Sequence, residues 1–434
     1  MAAFLFRILE SRFFLLGCVT LFFVSRAGLV LFVPIEMDSD AAWYLGRALG
    51  IASGEGYSQN GQPTAYWPVG YPGFLGMLFY LFGEHQMVGQ MANVLLAMAS
   101  LFLVLRLARL VFRSETTARL ALLLVTLYPN GAAYTPLLYT EIYFTFLILL
   151  GTYLFISQRG WLWVFLVGVI FGFAALTKPQ VIFLPVALVL LKLFSREERS
   201  TALQQLATGL VIYLTMAALL VPWAARNTLT FKETVLISTN GGKTLLMGNN
   251  PGADGGDSGS AIIPDYYSSI LDQSNNDTRT QVVADRYARE LALQWIKDNP
   301  RRFVELIPLK IWHLWHKDGE AEWSYQAGYP GYERNWYLFR SMRIINQAYY
   351  SLLIVGLIVS IALLRKRRNQ VAWPWVLFGY VFIIYLTLIS ALFIGQARFH
   401  FPAMPWIIMY AAWVVTVLLK PIHTKLPIDN VSKA

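Results

Sequence analysis

A few ionisable side chains interrupt long apolar runs: Asp38, Asp40, Glu141, Lys178, Arg226, Arg398 and His400. Ionisable groups at membrane depth are costly and are kept for a use. Asp38 and Asp40 stand in Glu36-Met37-Asp38-Ser39-Asp40, ahead of a stretch that reads as a helix to Leu49. An acid at a helix start satisfies free backbone N–H groups and the positive end of the dipole. Two acids at i and i+2 cannot both do so, which leaves one for chemistry. Glu141 opens the apolar run Thr140-Glu141-Ile142-Tyr143, where it is either a helix-start charge or a working acid. Lys178 stands in Thr177-Lys178-Pro179, where snorkelling is the plain alternative. Arg398 and His400 share the turn Gln396-Ala397-Arg398-Phe399-His400-Phe401-Pro402, and Arg226 follows Pro222-Trp223. A carboxylate takes the proton from a hydroxyl as its oxygen attacks. A guanidinium or ammonium holds a phosphate and stabilises the charge growing on it as it leaves.

Long apolar segments must position these groups. Hydrophobic residues make up 56% of the 434 and charged ones 14%, so the chain is no soluble enzyme, disordered regulator or coiled coil. Ten segments approach the roughly 20 apolar residues a spanning helix needs. They are 13–33, 87–106, 118–136, 140–157, 161–177, 180–194, 203–222, 344–364, 372–393 and 402–419. The fold class is therefore all-α and polytopic. The organisation reads as an N-terminal membrane module, 1–222, a loop module, 223–340, and a C-terminal membrane module, 341–434. The first loop, 34–86, carries Asp38 and Asp40. Within 223–340, the run 280–298 is amphipathic and 301–316 reads as a helix lying in the interface. The first span lacks a small-residue cleavage site and reads as an uncleaved anchor. Cys18 is the sole cysteine, so no intrachain disulfide forms.

The net charge is +10, which at first suggests nucleic acid. Sorted by topology, it reports orientation instead. With the N-terminus inside, the cytoplasmic segments hold 17 basic and 5 acidic side chains, a net +12. The remaining 18 basic and 20 acidic side chains give −2. The clusters Arg106–Arg119 and Arg365–Arg368 both fall inside, and both termini are expected there. Asp38, Asp40, Glu141, Lys178, Arg226, Arg398 and His400 then face outward. The first loop adds aromatic faces suited to sugar stacking, including Tyr44, Trp67 and Tyr71.

Several patterns carry less. Asn240-Gly241-Gly242-Lys243-Thr244 ends like a phosphate-binding loop, but Ile237 stands where its first glycine is required. His313 and His316 lack a third ligand at metal spacing. Asp254-Gly255-Gly256-Asp257 lacks the calcium-loop pattern. Asn276-Asp277-Thr278 is a glycosylation sequon, meaningful in a eukaryotic secretory compartment.

Group transfer on the outer side needs an activated donor that reaches it through the membrane. A polyprenyl-phosphate sugar meets that need, because its tail lies in lipid and its phosphate leaves. The chain also resembles the GT-C superfamily of integral membrane glycosyltransferases, nearest to its family 39 and mannosyltransferase-like branch, over nearly its whole length. Asp40-Ala41-Ala42-Trp43-Tyr44 with Arg47-Ala48-Leu49 resembles the start of that family's first loop. Pro68-Val69-Gly70-Tyr71-Pro72 resembles its Pro-Pro-Gly-Tyr-Pro stretch, with Val69 in place of the second proline. Glu141 matches the second-loop acid, and Arg398-Phe399-His400-Phe401-Pro402 resembles the end motif. Val221–Asn227 and Gly248-Asn249-Asn250-Pro251 match bacterial members.

The resemblance implies an inverting transfer from a polyprenyl-phosphate sugar to a hydroxyl acceptor, at the periplasmic face of a bacterial inner membrane. Asp40 becomes the preferred base and Asp38 the second choice. Glu141 orients the acceptor or shares a metal. Lys178 and Arg398, with Arg226, hold the donor phosphate, and Tyr44, Trp67, Tyr71 and His400 line the substrate site. The acceptor is a glycan, lipid or protein; nucleic acid is no partner. Family members differ on a divalent cation, and Ser39 and Ala41 replace the paired acid many relatives carry beside the position of Asp40, so none is assigned. The rival class is a transporter or lipid flippase, which needs midplane ionisable groups and usually an internal repeat. A non-catalytic assembly subunit would leave the donor unconsumed.

Overall fold

The computed structural model of the chain describes residues 7–157, 159–194, 201–257 and 279–419. The sequon at 276–278 lies outside the described residues, as do Arg196, Arg199, Lys420, Lys425 and Lys433.

Apart from one two-stranded hairpin, the described elements are helical. In chain order the first half comprises α1 (Phe14–Phe32), α2 (Ser39–Ala52), β1 (Ser58–Gln59), β2 (Gln62–Pro63), α3 (Gly70–Phe82), α4 (Gln86–Phe112), α5 (Glu115–Leu127), α6 (Pro129–Ala133), α7 (Thr140–Ile156), α8 (Trp161–Thr177) and α9 (Leu184–Leu193). Next come α10 (Ala202–Phe231), α11 (Gly241–Gly248), α12 (Thr280–Asp298), α13 (Pro300–Trp315), α14 (Ala321–Gly328), α15 (Trp336–Arg367), α16 (Trp373–Leu392) and α17 (Met404–Leu419). Short 3-10 segments, Pro179–Phe183 and Ala397–Ala403, lead into α9 and α17.

Six described helical segments are long and apolar enough to cross a membrane: Phe14–Phe32, Gln86–Phe112, Ala202–Phe231, Glu333–Gln370, Trp373–Leu392 and Ala397–Leu419. Thr140–Ile156, Trp161–Thr177 and Pro179–Leu193 are shorter apolar helices in the expected places. Segment 118–136 differs from expectation. Its helix stops at Leu127, because Tyr128 is extended ahead of Pro129, as a residue before proline prefers. The seventh span is longer than the expected 203–222 and continues through Pro222 to Phe231. Arg226 is thus on a helix rather than in a loop. Large apolar side chains such as Phe32, Leu214 and Leu352 remain exposed on the helix surfaces, as a hydrocarbon surround requires. The backbone polar groups of these segments are satisfied within the helices.

The two basic clusters share one end of the bundle. Ala372 N donates to Val111 O at 2.8 Å, which joins the end of α4 to the residue that opens α16, five positions after α15 ends. At the other end the first loop is not a simple connection. It holds α2, a hairpin and α3. The hairpin turns at Asn60-Gly61, both with positive φ, the combination a two-residue type I′ turn needs. The expected helices at 280–298 and 301–316 are α12 and α13.

Candidate active site

Asp40 lies in the first turn of α2. Neither neighbouring acid caps that helix through its side chain: Asp38 is the N-cap residue and makes no such bond. Ser39 between them has φ of +49°, a left-handed conformation for a residue with a Cβ. Asp38 is exposed, whereas Asp40 turns inward to meet Arg398. The Arg398 Nη1 donates to Asp40 Oδ2 at 2.6 Å, and its Nε donates to Gln396 Oε1 at 2.9 Å.

The turn that presents Arg398 is held from two sides. Gly395 N donates to Gly255 O at 2.9 Å. A Cβ at Gly395 would collide with the Lys310 carbonyl, so α13 and this turn meet backbone to backbone. Lys310 itself is fully buried and donates to Asn249 Oδ1 at 2.8 Å and Leu392 O at 3.3 Å. Burial pushes its ammonium down to about 8. It ties α11, α13 and α16 together behind the Arg398 turn.

Glu141 is buried in the first turn of α7 and accepts from Lys178 Nζ at 3.1 Å. Lys178 sits where α8 ends, 5.6 Å from the Phe144 ring centre and 5.9 Å from that of Phe399. Phe399 is the neighbour of Arg398, and Arg398 and Glu141 are within electrostatic reach of each other. The result is a row of alternating charge, Asp40, Arg398, Glu141, Lys178. Distant segments supply adjacent members of the row: Asp40 and Arg398 are separated by 358 positions.

A cavity of about 220 Å³ opens over the Asp40–Arg398 end. Asp257, Glu320, Trp323 and Gln396 share its wall with the pair Tyr139 and Ser324, whose hydroxyls are 3.0 Å apart. Burial raises the Asp257 carboxyl, and the Arg398 charge partly opposes that rise. Tyr139 is pushed up to about 12 by burial, so it stays a neutral hydroxyl. Tyr139, Glu320, Trp323 and Ser324 do not stand out in the sequence, because they lie in turns and short helices without a motif.

The structure separates the other expected site residues from this cavity. Arg226 donates to Thr64 O at 2.9 Å and Tyr57 O at 3.0 Å, the residues on either side of the hairpin. Its guanidinium braces the first loop instead of facing a phosphate. His400 is fully buried between the rings of Trp315 and Tyr350, with its two nitrogens 2.7 Å from Leu314 O and 3.3 Å from Asp318 Oδ1. It helps to lock the network of Asp318, Asn130 and Tyr128 beneath the site. Tyr44, Trp67 and Tyr71 pack on one another and on Trp43, and Tyr71 is fully buried. They form the core of the first loop and do not line the cavity, while Tyr44 lies within electrostatic reach of Asp40, Glu141 and Arg398. Among the described residues, no three His, Cys, Asp or Glu side chains converge on a point that would hold a metal. Asp40 and Glu141 are each engaged by a basic side chain.

Residues 67–225 match a family model described as dolichyl-phosphate-mannose-protein mannosyltransferase. No curated protein gives a match. Among solved structures, the archaeal oligosaccharyltransferase AglB from Archaeoglobus fulgidus, in complex with an inhibitory peptide and a dolichol-phosphate, is 14% identical with a TM-score of 0.54. The alignment covers 94% of this chain and 51% of that one. The apo form of the Archaeoglobus fulgidus oligosaccharyltransferase is 12% identical, with a TM-score of 0.56 and the same coverage. ArnT from Cupriavidus metallidurans bound to undecaprenyl phosphate is 14% identical over 93% of this chain and 77% of that one, with a TM-score of 0.41. The chain thus spans about half the length of the oligosaccharyltransferases it resembles, and at these identities the likeness is one of fold.

Proposed function

Because the chain has the fold of the GT-C superfamily of integral membrane glycosyltransferases, we propose that it moves a sugar from a polyprenyl-phosphate carrier to a hydroxyl acceptor, with inversion, at the periplasmic side of a bacterial inner membrane. The observation that carries this reading is the Asp40–Arg398 ion pair on the wall of a polar cavity, backed by Glu141 and Lys178.

The acceptor oxygen attacks the anomeric carbon opposite the phosphate. The bond between that carbon and the phosphate oxygen breaks, and its electron pair stays on the phosphate. The acceptor's proton passes to Asp40. Arg398 and Lys178 stabilise the phosphate as its charge grows. Glu141 is a positioning residue that holds the Lys178 ammonium in place. With no donor bound, the guanidinium lies on the base. An arriving phosphate competes for it and frees the Asp40 carboxylate to take the acceptor's proton.

The test uses the purified full chain in proteoliposomes with a labelled polyprenyl-phosphate sugar and a hydroxyl acceptor extract from the host envelope. Expected is consumption of the donor with release of polyprenyl phosphate. Asp40→Asn should slow this by about 10²–10⁴-fold, the usual contribution of a general base. Full turnover by Asp40→Asn would overturn the assignment.

A further inference from the structure

Trp323 differs from the other aromatic side chains around the site. It lies on α14 and is 51% exposed. The first-loop aromatics Trp43, Tyr44, Tyr57, Tyr66 and Trp67 spend their faces on each other. Trp323 makes no ring–ring contact among the described residues and lines the same cavity as Asp40 and Arg398. Around it the wall is polar. Glu320 is three positions earlier, Asp257 is across the cavity, and Ser324 follows.

An open indole face beside carboxylates is a particular chemical combination. The indole offers a flat apolar surface to a ring's C–H face. Ionised carboxylates only accept hydrogen bonds, so they favour a ligand rich in hydroxyl donors. Glu320 is itself 3.1 Å from Lys317 Nζ, which leaves its other oxygen to accept from a ligand. A sugar ring meets both demands. A peptide serine or threonine hydroxyl does not: its backbone would bring as many carbonyl acceptors as N–H donors to an acceptor-rich wall.

We propose that Trp323, with Glu320, forms an acceptor subsite for a sugar ring, so that the acceptor is a glycan presenting a hydroxyl to Asp40. This rests on the transfer reading above and names the substrate class for it.

The experiment replaces the host gene with full-length alleles encoding Asp40→Asn, Trp323→Ala or Trp323→Phe, and matches their amounts in the membrane by immunoblot. Envelope glycans, glycolipids and proteins are then compared by mass spectrometry. A sugar residue that disappears from a glycan or glycolipid in the Asp40→Asn cells supports the transfer reading. The same residue falling roughly five- to tenfold in Trp323→Ala cells, and retained in Trp323→Phe cells, supports the platform, since a ring contact of this kind is worth about that factor. Undiminished modification in Trp323→Ala cells overturns the platform and leaves the transfer reading standing. An Asp40-dependent sugar found on serine or threonine of proteins overturns the glycan acceptor. No Asp40-dependent change in any fraction overturns the transfer reading itself. Trp323 is exposed, so its loss removes little packing, and the Phe variant controls for folding.

Discussion

Replacing Arg398 by lysine separates two roles of its side chain. The guanidinium uses two different nitrogens, Nη1 toward Asp40 at 2.6 Å and Nε toward Gln396 at 2.9 Å. Lysine keeps the positive charge but has one nitrogen at the end of a stem, so it serves one of these acceptors and loses the planar fork. The Coulomb field of the site is therefore nearly unchanged, while one charge-assisted hydrogen bond is lost. Such a bond contributes about 1.5–3 kcal/mol. The side chain is about a quarter exposed, which puts the loss near the lower end, at about 1.5–2 kcal/mol. At 1.36 kcal/mol per decade that is roughly 10–30-fold. If the fork holds the departing phosphate, the loss falls on kcat/KM for the donor, measured by initial rates at saturating acceptor in nanodiscs. A donor kcat/KM within twofold of wild type, with the variant folded, would refute the idea that the guanidinium geometry is used on the phosphate. A shift confined to the pH profile of kcat would instead assign Arg398 to holding Asp40.

Two further predictions concern stability. Glu141 is buried against Lys178, so Glu141→Gln strands a cation and should destabilise the purified protein by about 3 kcal/mol, while Glu141→Met with Lys178→Met should regain most of that and still lack transfer. Thermal unfolding in detergent reads this out, and an unchanged midpoint in Glu141→Gln would count against the pair. Lys310 is depressed from 10.5 to about 8 by burial, so the folded state binds fewer protons than the unfolded state between those values. Stability should therefore rise as pH climbs from about 8 toward 10.5, by about 3 kcal/mol in total. Lys310→Met should flatten that rise in denaturation curves taken across the same window, and a wild-type profile already flat there would refute it.

The residue types of the site were legible in the sequence, while their partners were not. Ionisable side chains in apolar runs are conspicuous, and that contrast picks out Asp40, Glu141, Lys178 and Arg398 together with Asp38, Arg226 and His400, without ranking them. The pairing of Asp40 with Arg398 depends on packing that brings α2 beside the turn before α17, and no local periodicity encodes a contact across 358 positions. Apolar length also located the long spans, but not the break at Tyr128, which comes from proline geometry, or the continuation of α10 past Pro222.

Positive charges that orientation could not explain were the sharpest signal, and the structure divides them by what they meet. Arg398 meets a carboxylate on the cavity wall and so stands where an anion can compete for it, while Lys178 meets the buried Glu141 beside Phe399. Among the described residues Arg226 donates to neutral oxygens, the Tyr57 and Thr64 carbonyls and Asn227 Oδ1, and holds the hairpin to α10. Lys310 also meets neutral oxygens, Asn249 Oδ1 and the Leu392 carbonyl. A cation given to neutral carbonyls is already fully used by the fold. A cation held by a carboxylate beside an opening can change partners, because a phosphate replaces the carboxylate with a like charge and releases a base in doing so. That exchange separates the residues on which transfer should depend from those on which only the fold depends. It also explains why residue type alone does not separate Arg226 from Arg398 and Lys178.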